Sequence, residues 1–117
     1  MSQESETRCT DGMALIETFR PEVLRAHRAL VRAVGTSLPP ATKQLILVTL
    51  STLQGSERAL RRHASRALAT GAEPDHILDA VMMALPVAGM TQVADALLAV
   101  SGILTHADGP EEEDDEA

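Results

Sequence analysis

Aromatic side chains are nearly missing from this chain of 117 residues: Phe19 is the only Phe, and there is no Tyr or Trp. A protein of this size buries roughly 60–65% of its unfolded surface, and each Å² of apolar area removed from water contributes about 25 cal/mol. Eighteen Ala and fifteen Leu supply most of the apolar material. Small side chains let helices approach closely but bury little, so association into an oligomer is expected. Cysteine is scarce too. Cys9 stands alone in the polar stretch "MSQESETRCTDG"; one thiol cannot close an internal disulfide, and this fits a reducing cytoplasm. The first residues carry no apolar run of the signal-peptide kind, and no run of about 18 apolar residues offers a membrane span. A basic excess is also lacking. With no stacking aromatics either, nucleic-acid binding is not expected.

The net charge of −7 is unevenly placed. Seven acids and no base lie between Asp108 and Glu116, which leaves ten acids and ten bases in the rest of the chain. The polar residues 1–11 and the acidic residues 106–117 are expected to be disordered. Residues 12–105 read as one helical domain, since no stretch alternates with period two for long enough to make a strand. A short amphipathic turn covers Met13 to Phe19. Pro21 suits a first helical position, with Val23, His27, Leu30 and Val34 as the apolar stripe and Gly35 as the stop. After "SLPP", residues 41–54 are apolar almost all round, which predicts a helix buried on several sides. Ser56 is a good N-cap for the next helix and Glu57 an anion in its first turn. Pro74 opens another helix, which Pro86 should kink or stop near Met82 to Leu85. Thr91 can cap a last helix with the stripe Val93, Leu97, Val100 and Leu104. The sum is an all-α compact bundle of five or six helices.

His63 is the residue of chemical interest. It follows Leu60 and precedes Ala64, Ala67 and Leu68 on one helical stripe, while Arg58, Arg62 and Arg66 recur every four residues on another face. An imidazole there either exchanges protons with a substrate in an enclosed site or packs in a core or interface with one nitrogen bonded to a carbonyl. Ser56 lies seven residues before it, too far for direct contact, so a cap role competes with a nucleophilic one. Gln44 is either a hydrogen-bond donor to a pocket or satisfied locally. Arg58, Arg61, Arg62 and Arg66 form a solvated face with Glu57 placed to pair Arg61, or they bind an anionic ligand or a neighbouring subunit's acidic tail. Met82, Met83 and Met90 pack in the core or line a cavity. His27, His76 and His106 share no helix face with His63, so no metal site is expected.

The segment "LPPATKQLILVTLSTLQGSERALRRHASRALATGAEPDHILDAVMMALPVAGMTQVADAL" resembles the carboxymuconolactone decarboxylase family, which includes the alkylhydroperoxidase-D-like proteins. The likeness covers about residues 38–98 and lies in the order and spacing of "TKQLILVTLSTLQG", the histidine helix, "GAEPDHILDAV" and the "AG" at 88–89. It implies an all-α protomer of the alkylhydroperoxidase-D-like type, assembled as a trimer or hexamer, with a cavity near the histidine helix. Redox members carry Cys-x-x-Cys-x-x-x-His, and counting back from His63 those cysteines fall on Ser56 and Ala59. Neither can cycle through a disulfide, and Gln44 stands where the redox members place a relay glutamate. The dithiol peroxidase mechanism is therefore not expected. The decarboxylase branch reads H-x-x-x-Y-A-G-x-P in the following helix, where this chain has Met83, Val87, Ala88, Gly89 and Thr91. The resemblance then implies a cofactor-independent, non-redox lyase, decarboxylase or isomerase acting by proton transfer on a small molecule. His63 would be the acid/base, Gln44 and Ser56 would hydrogen-bond substrate, and Met82, Met83, Val87 and Met90 would line the pocket. The alternative is a non-catalytic family member that binds a ligand or assembles.

Overall fold

The computed structural model describes residues 12–105; the acidic segment, Cys9 and His106 lie outside them. Among the described residues are eight helices and no strand. They are α1 (Gly12–Phe19), α2 (Pro21–Ala33), α3 (Pro40–Gln54), α4 (Glu57–Ala69), α5 (Pro74–Met82), α6 (Leu85–Ala88), α7 (Met90–Ala99) and α8 (Ser101–Thr105). Two breaks raise the expected five or six to eight. Pro86 has no N–H to give to a continuing helix, so α5 stops at Met82 and the short α6 restarts with that proline in its first turn. At Val100 the backbone leaves helical geometry (φ −109°, ψ 14°) ahead of Ser101 and Gly102, both weak helix formers, and α8 begins anew.

The chain forms two compact units divided after Ser37. In the first, α1 and α2 are joined at Arg20, whose backbone N–H donates to Ile16 O at 2.7 Å. Pro21 opens α2 as its position predicts. Leu24 is buried, whereas Phe19, Val23, Leu30 and Val34 are each more than half exposed. The stripe read from the sequence is present, but it faces outward.

The second unit holds the core. Val48 of α3, Leu60, Ala64 and Ala67 of α4, Ile77 and Val81 of α5, Val93 of α7 and Val100 just after it are all buried together. The helix ends use expected chemistry. Gly55 closes α3 in the left-handed region (φ 74°), where a side chain would be strained, and Ser56 then caps α4, its Oγ accepting from Ala59 N at 3.3 Å. The expected cap by Thr91 is replaced: the chain enters α7 through Gly89 at φ 89°, ψ 168°, a conformation suited to glycine, and Thr91 sits inside the first turn. Helix α3 is also less enclosed than its composition predicts. Val48, Ser51 and Thr52 are buried, but Ile46 and Leu50 stay 44% and 50% exposed. No helix among the described residues is long and apolar enough to cross a membrane.

Candidate functional site

Helices α3 and α4 are the most extensively packed pair, and their contact carries His63 to Gln44. At 100° per residue, Gln44, Val48 and Ser51 share one side of α3. Val48 and Ser51 on that side are buried, which leaves Gln44 at the open end of the seam. On α4 the buried residues Leu60, Ala64 and Ala67 define the core side, and His63 falls about 70° from its centre. It is half-buried, at the border between the core and the arginine face.

The two side chains meet: His63 Nδ1 and Gln44 Oε1 are 2.9 Å apart. An amide oxygen can only accept, so the imidazole donates from Nδ1. In the neutral ring this leaves the lone pair on Nε2. Burial lowers the His63 pKa from its ordinary 6.5, and the positive charges of Arg66 and Arg62 lower it further. The imidazole is thus held neutral, in one tautomer, with a basic nitrogen to spare. Among the described residues Nε2 has no hydrogen-bond partner.

The other residues singled out in the sequence lie elsewhere. Ser56 shares the face of His63 but lies about 10 Å along the axis, and its hydroxyl is engaged in the cap. Met83 lines a shallow open groove with Thr42, Leu45, Ile46, Thr49, His76, Asp79 and Ala80. That groove opens on the side of α3 roughly opposite Gln44, so it does not contain the His63–Gln44 pair. Met82, Val87 and Met90 are exposed and are not among its walls; Val87 is 78% exposed and Met90 71%. Arg61 pairs with Glu57 at 2.6 Å, as their spacing predicts. No group of three His, Cys, Asp or Glu among the described residues is placed to hold a metal ion.

Two positioning residues escape a sequence reading. Gln92 on α7 donates from Nε2 to Thr52 O at 2.8 Å and Leu53 O at 2.7 Å, satisfying the last carbonyls of α3. Forty residues of separation leave no local signal for it. His76 Nδ1 accepts from Glu73 N at 2.9 Å and so closes the start of α5. The spacing is that of a capping box, but with a histidine in the place usually held by Glu or Gln.

This helical seam has a counterpart among known families. Residues 21–101 match the model of the carboxymuconolactone decarboxylase family. The chain belongs to that family. The match begins at the first residue of α2 and ends at the first residue of α8, so it takes in more than the segment whose likeness is visible by eye. No curated protein and no solved structure matches the chain significantly.

Proposed function

We propose that this family member is a cofactor-independent enzyme that moves a proton on a small molecule, as a lyase, decarboxylase or isomerase. The observation that carries the reading is the 2.9 Å contact of His63 Nδ1 with Gln44 Oε1. It fixes the tautomer and makes Nε2 the general base. Nε2 takes a proton from a carbon next to a carbonyl, and the C–H electron pair moves into the carbonyl as an enolate. In an isomerase the imidazolium then returns that proton to a second carbon. In a decarboxylase no C–H is broken: the electron pair released with CO2 enters the carbonyl as the enolate, and His63, having drawn a proton from water, delivers it to the enolate carbon. A pKa below 6.5 keeps the base ready at neutral pH. Gln44 is a positioning residue. Ser56 is read as a cap that hydrogen-bonds substrate only if the ligand reaches two turns along α4.

Assembly is part of the proposal. Met83, Val87, Met90 and Leu98 are each at least two-thirds exposed, an amount of apolar surface that a trimer or hexamer would cover. The same exposure is what favours the second reading, a non-catalytic member that binds or assembles. The lone thiol in the sequence supports a reducing, cytoplasmic setting for this reading.

Hydrogen–deuterium exchange in heavy water, read by NMR on a panel of small keto acids and lactones, separates the two. The wild type should wash out the acidic C–H of at least one compound, with His63→Ala slower by about 100-fold or more. Gln44→Ala should retain partial activity with its acid limb displaced, which a merely structural residue would not produce. Equal rates in wild type and His63→Ala, or no exchange by either, would sink the enzymatic reading.

A further inference from the structure

His63 stands in a one-sided electrostatic neighbourhood. Helix α3 carries Lys43 and no acid, and α4 carries four arginines and a single acid, Glu57. That acid is already held by Arg61, and it lies about 120° around α4 from His63. Arg58, Arg62 and Arg66 form a straight row along the solvent face, four residues apart. Arg66 is one turn beyond His63 and about 60° from it, and Arg62 is the adjacent residue. Both guanidinium groups are exposed, and among the described residues neither has a hydrogen-bond or ion-pair partner. Their charges are nevertheless felt by the imidazole. Two planar cations therefore lie on the solvent side of a neutral base, and among the described residues no carboxylate pairs with either.

We propose that Arg62 and Arg66 form an anion-binding subsite beside His63 that takes the carboxylate group of a small organic acid. Guanidinium groups bind carboxylates through paired N–H donors, and the i,i+4 spacing puts the two arginines on neighbouring turns with their Cβ atoms about 6 Å apart. This assigns a substrate class to the site and in that respect rests on the proton-transfer reading, although binding itself does not need turnover. A carboxylate held there supplies the anionic handle, while Nε2 stays unprotonated for the adjacent carbon. One other source of the same chemistry is on the chain: the seven acids between Asp108 and Glu116. The twelve residues beyond Thr105 span up to about 40 Å when fully extended.

The test uses malonate as the probe and the His63 ring C–H resonances as the readout, at constant ionic strength with chloride as the balancing salt. The full-length chain should show a saturable shift. Arg62→Ala and Arg66→Ala should each weaken binding about tenfold, the loss given by one charge-assisted contact. Arg25→Ala, on α2, should change nothing. A second arm uses the full chain with Glu111, Glu112, Glu113, Asp114, Asp115 and Glu116 changed to their amides. If malonate binds equally with and without those acids, the subsite takes a solute. If it binds more tightly once the acids are neutralised, the subsite stands and the chain's own segment is its resident carboxylate. A shift that does not saturate, or that is unaltered in both arginine variants, overturns the subsite. Because the readout is binding, absence of turnover in the exchange assay would not imitate that failure.

Discussion

Nδ1 of His63 gives its proton to Gln44, and this one bond has consequences for stability as well as chemistry. Burial and the neighbouring arginines lower the His63 pKa in the folded chain below 6.5, whereas the unfolded chain keeps the ordinary value. Between those two values the unfolded state binds more protons, so stability rises with pH across that window. The stabilising contribution is complete above 6.5 and is lost as pH falls through the lowered folded value. Melting temperature should therefore drop on acidification below neutrality, and His63→Gln should remove that part of the slope. Parallel curves for the two proteins would show that the ring is not coupled to folding. The sequence exposes both partners as candidates, since each is a polar residue set among apolar ones. It could not join them, because the pairing depends on the rotation of α3 against α4.

At the scale of the helix, the punctuation was the legible part. Prolines at 21 and 74, glycines at 35 and 55 and the serine at 56 all act where local backbone chemistry puts them. Ser56→Ala should lower stability by about 1 kcal/mol, the usual worth of such a cap, or about 4–8 °C in a domain of this size. Its exchange rate with substrate should stay near wild type. A collapse of turnover with an unchanged melting temperature would instead put the hydroxyl in the site. What the sequence hides are the ends finished by distant residues. Gln92→Ala should cost about 1–2 kcal/mol by removing two hydrogen bonds and leaving the Leu53 carbonyl without a protein donor, while Thr52 O still accepts from Gly55 N at 3.1 Å. The turn through Gly55 and Ser56 should then lose hydrogen-exchange protection first. Thr91 misled because its type suits a cap, but Gly89 already provided the entry into α7 at a positive φ that Thr cannot easily adopt.

For the whole molecule, the all-helical class was readable from periodicity, and the family from the order of its segments. The apolar residues that lie outside were not separable from those within. Ile46 and Leu50 belong to a helix that is apolar almost all round, yet they face outward beside Val48, which is fully buried. A periodic pattern identifies an apolar side; it does not say whether that side meets the same chain or another copy. If another copy covers it, light scattering should give three or six times the chain mass. Val87→Glu should then shift the protein toward smaller species by burying an unpaired charge in the contact. A wild-type protein that stays monomeric at high concentration would refute this assembly.

Six of the twelve residues in the core of the second unit are alanine: Ala64, Ala67, Ala72, Ala80, Ala84 and Ala96. Such an interior has almost nothing left to trim. The familiar injury to a protein, the hole left by a shortened side chain, is closed to half of these positions. Their hazard is growth, since an added methylene forces neighbouring backbones apart. Random variation should therefore be harshest where residues are already smallest. Inherited change at these sites should run among Ala, Gly and Ser, leaving the few leucines and valines between them to absorb the differences in shape.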